Sequence, residues 1–298
     1  MSEHGNPLVS VIIATYRQEK SLYNAVSSAC AQTYTNIEIV IVDDNADTEW
    51  NEKVAYTIRD FLDDKRVVYI KNNKNEGSAE TRNIGIKAAK GEYITFLDDD
   101  DIYLPEKIEN QLRYMEKNNA DYSITDLMLY KENGKLEEIR KRSFITDTDK
   151  KSLLKYHLKY HLTGTDTMMF KKTYLQKINY FDKIDVGDEF YLMLKAVKMD
   201  GIFTYVPLCD VKAYVHVGES GLSSGKSKIC GENNLYEFKK EYFKSLDPGT
   251  VRYIKMRHHA VLAFAYLRMR SWGKTAVEGA KAFFYAPLQC IKLVMERN

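Results

Sequence analysis

With 298 residues, the chain is long for a single compact core, so we predict one large α/β unit with an appendage, or two domains. Its 44% hydrophobic and 29% charged residues, without low-complexity tracts or repeats, exclude a disordered chain and a solenoid. A net charge of +2 is too small for a dedicated nucleic-acid binder, so we predict no nucleic-acid partner.

The first part of the chain alternates apolar runs with helical segments. The β-branched run Leu8–Ala14 predicts a strand buried on both faces of a sheet, and a helix around Lys20–Gln32 follows it. The unit repeats in strands at Ile37–Val42, Arg66–Lys71 and Glu92–Leu97 and in helices at Glu49–Leu62 and Ser78–Ala89. This βαβαβαβ order predicts an α/β fold with a doubly wound sheet.

Polar residues follow each of these four predicted strands. In a doubly wound sheet, ligands bind beyond the carboxyl ends of the strands, where loops and helix N-termini converge. The polar residues are Thr15, Tyr16 and Arg17 after the first strand, Asp43 and Asp44 after the second, Asn75, Glu76 and Gly77 after the third, and Asp98–Asp101 after the fourth. We therefore expect four loops to face one crevice.

The second part of the chain mixes strands and helices before it becomes helical. Pro105 suits the first turn of a helix that ends near Lys117. Beyond it, strands are predicted at Asp121–Tyr130, Thr165–Phe170, Ile202–Val206 and Val211–Val217, and a helix at Asp188–Met199. From about Gly225 the pattern is helical, with breaks near Asp247–Gly249, Gly273 and Pro287. We predict a catalytic domain at residues 1–225 and a helical appendage at residues 226–298.

The four aspartates Asp98–Asp101 are the clearest chemical signal. Such concentrated negative charge is costly unless a cation binds it. Alternate residues of a strand share a face, so Asp98 and Asp100 are expected to project together, with Asp99 turned elsewhere. Their oxygens suit Mg²⁺ or Mn²⁺, which predicts metal-assisted chemistry. The alternative is an acidic helix start, because carboxylates are favoured ahead of the helix at Pro105.

Four segments together resemble a known enzyme family. SVIIATYR, IVIVDDN, NEGSAETRNIGIKAAKGEYITFLDDDD and GDEFYLMLKA, in this order and spacing, resemble family 2 glycosyltransferases, over roughly Leu8–Lys195. The resemblance implies a GT-A type doubly wound mixed sheet, here with a C-terminal helical appendage. It also implies a hexosyltransferase-type enzyme with a UDP-sugar donor, a divalent metal, Mn²⁺ or Mg²⁺, and inversion at the anomeric carbon.

The resemblance also implies roles for residues at the strand ends. Asp43 is expected to be structural, and Thr81 replaces the usual Ala of the family's NxGxxxARN-like stretch. The residues expected to bind the donor are Thr15 and Tyr16 at the nucleoside, Asp44 at the base, Asn75, Gly77 and Arg82 at the nucleotide, and Asp98 and Asp99 of the DxD motif, with Asp99 at the ribose. Asp100 is the expected metal ligand, whereas Asp101 has the least certain role.

An inverting transfer needs a carboxylate that removes the proton of the acceptor hydroxyl. The pair Asp188 and Glu189 supplies one. The family usually has Glu followed by Asp here, with the second residue as base, so the reversed order puts Glu189 at the base position. The choice between the two stays open, since Asp188 also suits the cap of the predicted helix.

His216 is a second candidate metal ligand. It ends a predicted strand before the glycine- and serine-rich stretch GESGLSSGK, which suits a loop that closes over a diphosphate. Some metal-dependent relatives place a histidine ligand near this point. A histidine satisfied within its strand is the alternative.

Basic and aromatic residues suggest contacts with an anionic acceptor or membrane. The run Arg140–Arg142 suits a lipid diphosphate, or simply a solvated surface. Residues 251–298 carry nine Lys or Arg against two Glu, which suits an anionic bilayer surface, or else helix packing. The aromatic residues of this segment are Phe264, Tyr266, Trp272, Phe283, Phe284 and Tyr285.

The cysteines and apolar runs bear on location. Cys30, Cys209, Cys230 and Cys290 form no CxxC pair, which favours reduced thiols. No signal peptide is recognisable, and the longest fully apolar run, Ala260–Leu267, is too short to span a bilayer. We predict a cytoplasmic protein, at most peripheral on the inner face of the plasma membrane.

The predicted function is transfer of a sugar from a UDP-sugar to a hydroxyl of a glycan, lipid-linked, in bacterial surface polysaccharide biosynthesis. A sugar-nucleotide nucleotidyltransferase is one alternative, but it needs a glycine-rich phosphate loop where this chain reads ATYRQEK. A non-catalytic sugar-nucleotide-binding scaffold is another. Acidic residues at each expected position argue against lost activity.

Overall fold

The computed structural model describes residues 5–184, 187–215 and 225–295. These form two compact units. The first takes the chain up to Lys150 together with Leu162–Val215, and the second takes Lys151–His161 together with the C-terminal helices. The domain boundary near residue 225 stays a prediction. The two units do not correspond to two continuous stretches of chain, since Lys151–His161 lies in the second unit.

Eleven strands lie in the described part of the chain. In chain order they are β1 (Val9–Thr15), β2 (Ile37–Asp43), β3 (Val67–Lys71), β4 (Tyr93–Phe96), β5 (Ile102–Tyr103), β6 (Tyr122–Thr125), β7 (Leu127–Lys131), β8 (Leu136–Arg140), β9 (Met168–Lys171), β10 (Phe203–Val206) and β11 (Val211–Val215). Seven form one sheet in the order β10-β6-β9-β4-β1-β2-β3, and four form another in the order β5-β11-β7-β8.

Helices account for most of the remaining described residues. They are α1 (Lys20–Cys30), α2 (Thr48–Thr57), α3 (Ser78–Ala88), α4 (Lys107–Lys117), α5 (Lys150–Tyr160), α6 (Lys172–Lys177), α7 (Asp188–Lys198), α8 (Gly225–Lys240), α9 (Pro248–Arg268), α10 (Trp272–Tyr285) and α11 (Pro287–Met295). In that part of the chain, none of them is both long and apolar enough to cross a bilayer.

The seven-stranded sheet confirms the predicted α/β class. β1 pairs in parallel with β2 and β4, and β2 with β3, as the repeated βα pattern requires. β9 runs antiparallel to both β4 and β6, which makes the sheet mixed. The strands β1, β2 and β4 are almost wholly buried, because continuous β-branched runs suit a strand covered on both faces.

Helix α3 lies very close to this sheet at Gly85. A Cβ atom added there would lie 2.5 Å from Cγ2 of Ile12 and 3.3 Å from Cγ2 of Val42. Only glycine allows this approach without displacing its neighbours. The close contact holds α3, which carries Arg82, against β1 and β2.

The strand predicted at Asp121–Tyr130 is wrong as one element, because it divides at Asp126 into β6 and β7, which belong to different sheets. The buried Asp126 carboxylate accepts hydrogen bonds from the Arg142 amide at 2.8 Å and the Tyr205 hydroxyl at 2.7 Å. These contacts hold the turn between the sheets. They come from distant parts of the chain, so the local sequence does not reveal the break.

Arg142 does not lie on a solvated surface. It is 5% exposed, and its guanidinium donates to the Thr125 carbonyl at 2.5 Å and to the Thr163 carbonyl. Burial lowers the pKa of Arg142 to about 10. The expectation that the whole run Arg140–Arg142 meets an acceptor or solvent is therefore wrong for Arg142, while Arg140 and Lys141 are exposed.

Candidate active site

Hydrogen bonds join the loops that follow β1, β2, β3 and β4. The Tyr16 amide donates to Oδ2 of Asp99 at 3.3 Å, which links the ends of β1 and β4. The Arg17 amide donates to Oδ1 of Asn45 at 2.8 Å, which links the ends of β1 and β2. Thr15 is buried at the end of β1, whereas Tyr16 is 46% exposed beside it. The expected convergence of loops is therefore present at this edge of the sheet.

Asp44 fixes the loop that carries Asn75 and Gly77. Its carboxylate accepts from the Glu76 amide at 2.8 Å, the Gly77 amide at 3.0 Å and Nδ2 of Asn72 at 2.8 Å. The Asn75 side chain donates to the Asp44 carbonyl at 3.2 Å. A carboxylate offers about four acceptor positions, so about one remains after these three contacts.

Gly77 and Asp43 have clear local roles. Gly77 has φ 81°, a conformation that L side chains rarely adopt, and it precedes α3. Asp43 is fully buried and accepts from the Asn45 amide at 3.0 Å and the Tyr69 hydroxyl at 2.6 Å. These contacts agree with the structural role expected for Asp43.

Arg82 joins the two groups of acidic residues. Its guanidinium lies 2.6 Å from Oδ1 of Asp98 and 3.0 Å from Oδ2 of Asp188, and its side chain is 11% exposed. Burial alone would lower the pKa of Arg82, but the two carboxylates raise it above its ordinary value. One buried cation thus holds the end of β4 beside the start of α7, although these residues lie far apart in sequence.

Three carboxyl groups cluster at the end of β4. Among the described residues, Asp98, Asp101 and Asp166 each offer an oxygen, and these atoms lie within 4.8 Å of one another. Oδ1 of Asp166 accepts from the Asp98 amide at 2.6 Å. The pKa of Asp166 rises to about 7 and that of Asp101 rises well above its usual range, chiefly through burial and then through neighbouring carboxylates.

This donor set fits a hard divalent cation. Three clustered carboxylates offer the oxygen ligands that Mg²⁺ and Mn²⁺ prefer. Because the raised pKa values of Asp101 and Asp166 favour their protonated forms, a bound cation would replace those protons. Asp100, the expected main ligand, is not one of the three, so its role stays a prediction. His216 lies outside the described residues.

Sequence reasoning missed Asp166. It lies in a 3₁₀ turn before β9, and the antiparallel pairing of β9 with β4 brings it beside the aspartates. An acidic residue at the start of a predicted strand was the only local signal. The pairing of that strand with β4 is not readable from one sequence.

A buried lysine lies next to this acidic end. The Lys107 side chain is fully buried, and its ammonium group lies 2.5 Å from Oγ1 of Thr95 and 2.9 Å from the Tyr103 hydroxyl. Burial lowers the pKa of Lys107 to about 7, and the charge of Asp166 partly offsets this effect. Sequence reasoning missed Lys107 too, because a lysine in a helix is usually solvated.

Glu189 and Asp188 have different environments at the start of α7. Burial, together with the neighbouring Asp188, raises the pKa of Glu189 to about 8, while Arg82 opposes the shift. Asp188 is buried and accepts from Arg82, with the Ser78 hydroxyl at 3.5 Å. Asp188 is therefore held as an ion-pair partner, whereas Glu189 is the carboxyl group with raised basicity.

Comparisons with known proteins identify the family of this chain. Residues 10–178 match the model of Glycosyl transferase family 2. An uncharacterized glycosyltransferase of Methanocaldococcus jannaschii is 35% identical over 211 residues, which is 69% of this chain and 70% of the relative. The Escherichia coli protein WfaP, named as a UDP-Glc:alpha-D-GlcNAc-diphosphoundecaprenol beta-1,3-glucosyltransferase, is 32% identical over 264 residues, which is 87% of this chain and 92% of WfaP.

A solved structure shares the fold. The crystal structure of S. aureus TarS 1–349 in complex with UDP-GlcNAc matches with a TM-score of 0.57 and 15% identity, over 93% of this chain and 91% of that chain. At this identity the likeness speaks for the fold alone. The match to the family model and the identity to WfaP show that the chain belongs to glycosyltransferase family 2 and is a glycosyltransferase of the GT-A fold.

Proposed function

We propose that the protein is an inverting transferase that moves a sugar from a UDP-sugar to a hydroxyl of a lipid-linked glycan in bacterial surface polysaccharide biosynthesis. The observation that carries the proposal is the contact of Arg82 with both Asp98 and Asp188. This contact supports the proposal, because it joins Asp98, where the DxD motif is expected, to Asp188 at the start of α7, beside the candidate base. The substrates in the name of WfaP make UDP-glucose and a GlcNAc-diphospholipid the first pair to test.

We infer that Glu189 removes the acceptor proton. The proton passes from the acceptor hydroxyl to the Glu189 carboxylate while the oxygen attacks the anomeric carbon and UDP leaves from the opposite face. A pKa near 8 makes this carboxylate a stronger base than a solvated one. Asp188, held by Arg82, is a positioning residue that keeps the start of α7 beside the donor.

The donor is proposed to lie across the joined loops. Thr15 and Tyr16 line the nucleoside pocket, and the remaining acceptor position of Asp44 serves the base. Asn75 and Gly77 lie in the loop that Asp44 holds, so their positions depend on that carboxylate. The Asp99 carboxyl, next to the Tyr16 amide, is proposed to contact the ribose.

Carboxylates at the end of β4 are proposed to hold Mn²⁺ or Mg²⁺. Asp100 is the main ligand in this proposal, the Asp98–Asp101–Asp166 group offers further oxygens, and His216 remains a further candidate. When bound, such an ion supplies positive charge next to the departing diphosphate. In this proposal Arg82 offsets one of the two negative charges of Asp98 and Asp188, and so weakens the repulsion between the two acidic groups.

A single assay tests the proposal against its rivals. Purified protein, UDP-glucose, Mn²⁺ and a synthetic GlcNAc-diphospholipid should give UDP and a β-linked disaccharide lipid, identified by NMR of the anomeric proton. A scaffold would bind UDP-sugars in a thermal-shift assay without turnover. A nucleotidyltransferase would instead consume a nucleoside triphosphate and a sugar phosphate. The assay is then repeated with other UDP-sugars and other lipid-linked acceptors. If no combination gives transfer, the proposal is contradicted.

We also propose that the protein acts in the cytoplasm at the inner face of the plasma membrane. A diphospholipid acceptor stays in a bilayer, so the enzyme must reach the membrane surface. The excess of basic residues after residue 251 supports this location.

A further inference from the structure

Helix α10 has an apolar face that packs within the second unit. Ala282 and Ala286 pack against Met256 and Ala260 of α9. On the same side, Glu278 lies 2.6 Å from Nδ1 of His259. Aromatic stacking of His259 on Tyr285, with centroids 5.5 Å apart, adds to this contact. All of these contacts with α9 come from one side of α10.

The opposite side of α10 is also apolar, but it faces solvent. The exposed fractions are 67% for Trp272, 54% for Val277, 51% for Phe283 and 81% for Phe284. Because each residue of an α-helix turns by ~100°, these four fall within about 140° of the helix circumference. The small residues Gly273, Ala276 and Ala280 occupy the rest of that arc, which holds no charged residue along the fully described α10.

Helix α11, which directly follows α10 and contacts it, also exposes large apolar side chains. Leu288 is 79% exposed and Ile291 is 47% exposed. We call the set Trp272, Val277, Phe283, Phe284, Leu288 and Ile291 the outer face. Single exposed apolar side chains are ordinary, but a group of six large ones on two consecutive helices marks an interaction site.

Half of the aromatic residues predicted to meet a membrane belong to the outer face. Trp272, Phe283 and Phe284 do, whereas Phe264, Tyr266 and Tyr285 are only partly exposed. Tyr266 lies under the Lys274 ammonium group, 5.2 Å from the ring centroid. The structure therefore distinguishes aromatic residues that pack within the protein from those that are exposed. The sequence pattern alone did not distinguish them.

Basic residues border the outer face. Between residues 267 and 292 the chain has five Lys or Arg and one acidic residue, Glu278. The five are Arg268, Arg270, Lys274, Lys281 and Lys292, all of them exposed. Glu278 is occupied by His259 and by Lys281, at 2.7 Å. By the same ~100° spacing, Lys274 and Lys281 lie along one edge of the uncharged apolar arc, so the charge beside it is net positive.

We propose that the outer face docks onto an anionic lipid bilayer, with its apolar side chains in the headgroup region and its cations on lipid phosphates. This inference rests on the proposed function, since a lipid-linked acceptor requires a membrane. An apolar arc with tryptophan and bordering lysines suits the membrane interface. A second copy fits less well, because a two-fold contact would bring the same basic borders together.

Trp272 provides a direct probe. The chain has two tryptophans, Trp50 and Trp272, so Trp50→Phe leaves Trp272 as the only tryptophan, which is excited selectively above the tyrosine absorption band. With vesicles of phosphatidylglycerol and phosphatidylethanolamine, we expect a blue shift of its emission and quenching by brominated lipid. Pure phosphatidylcholine vesicles should give a much weaker response. High salt should weaken binding, because it screens the cations.

Substitutions on the outer face provide the second test. The double variant Phe284→Glu/Leu288→Glu is expected to weaken vesicle binding by about 10-fold or more, since it puts charge where apolar side chains enter the lipid. The matched control is Tyr56→Glu in the first unit, where Tyr56 is 68% exposed, and it should bind vesicles like the unchanged protein. Thermal shift with UDP should be the same for all three proteins.

The outcomes separate this inference from the proposed function. Absence of vesicle binding with UDP binding and turnover intact would overturn the docking surface and leave the transferase standing. Vesicle binding without UDP binding or turnover would support the docking surface and contradict the transferase. A dimer in solution that Phe284→Glu/Leu288→Glu dissolves, without lipid binding, would assign the outer face to a second copy and overturn the inference.

Discussion

Glu189 is the residue whose environment says most about the chemistry. To accept a proton it must be ionised, and burial together with Asp188 raises its pKa to about 8. Because the ionised form increases as pH rises through the pKa, kcat/KM is expected to rise with pH and level off above about 8. Steady-state rates between pH 5.5 and 9.5 measure this limb.

Glu189→Gln provides the matching variant. Its kcat is expected to fall by about 10²- to 10⁴-fold, the usual contribution of general base catalysis. The residual rate should lose the rise near pH 8. Glu137→Gln, at an exposed position of β8, is the control and should keep both rate and pH profile. A full rate in Glu189→Gln would exclude this residue as the base.

Arg82 is the residue that joins the donor side to the base side. Arg82→Met leaves the Asp98 and Asp188 carboxylates near each other without their shared cation, so the free energy of unfolding is expected to fall by about 3 kcal/mol. Urea unfolding followed by circular dichroism measures the change. On the same helix, Lys87→Met removes only an exposed pair with Glu80 and should cost less than about 1 kcal/mol.

The aspartates differ in what each can give a cation. Asp166 and Asp101 each use an oxygen on a backbone amide, from Asp98 and Tyr214 respectively. We expect Asp100→Asn to weaken Mn²⁺ binding by about 10-fold or more, measured by calorimetry, and chelation with EDTA to stop turnover. A larger loss in Asp166→Asn than in Asp100→Asn would assign the ion to the buried group and contradict the main role of Asp100.

At the scale of elements, the contact between α3 and β1 is open to a direct test. Gly85→Ala places a Cβ 2.5 Å from Cγ2 of Ile12, so overpacking is expected to lower the free energy of unfolding by about 1–3 kcal/mol. Gly279→Ala in α10 is the control, because a Cβ there meets nothing within 4 Å. It should instead raise helix stability by about 0.5–1 kcal/mol. Equal melting temperatures for both variants would refute the close contact.

The elements of the first half were predictable, and those of the second half less so. β1 and β2 are continuous β-branched runs, so the sequence places them within a residue or two. By contrast, the division between β6 and β7 depends on Asp126 contacts with Arg142 and Tyr205. The short strands β5 and β8 were not predicted. β5 has only two residues, and the five residues of β8 are mostly exposed, so neither shows an alternation of apolar and polar side chains.

The candidate site was predictable where residues follow parallel strands. That rule brought Tyr16, Asp44 and Asp99 to one edge of the sheet, and the structure joins their loops. It did not reveal Asp166 or Lys107, because one lies in the turn before an antiparallel strand and the other is the first residue of a helix. Pairing across an antiparallel neighbour depends on the whole fold.

At the scale of the whole molecule, α5 belongs with helices that follow it much later in the chain. Its buried residues include Leu153, His157 and Leu158. Next to it, Nε2 of His161 lies 2.6 Å from the Lys239 ammonium group and 3.0 Å from the Arg257 guanidinium. These groups, together with burial, hold the pKa of His161 well below its usual range. The second unit is therefore built from two separate stretches of sequence.

Removal of the C-terminal helices should consequently destabilise what remains. A chain ending at residue 225 keeps α5 but loses α8 and α9, which carry Lys239 and Arg257. We expect this shortened chain to be poorly soluble and to be cleaved near residues 150–161 by trace protease, as seen by mass spectrometry. A soluble, protease-resistant fragment that still binds UDP would support the boundary predicted from sequence instead.

The origin of α5 also limits how this enzyme can diverge. Suppose that recombination exchanged only the part of the gene that encodes the C-terminal helices. The new helices would then have to pack against the original residues 151–161, which lie between Asp98–Asp101 and Asp188 in the chain. Productive chimeras should therefore exchange residues 151–161 together with the C-terminal helices. Natural variation in the two stretches is expected to be correlated, even though Leu162–Val215 of the first unit separates them in the chain.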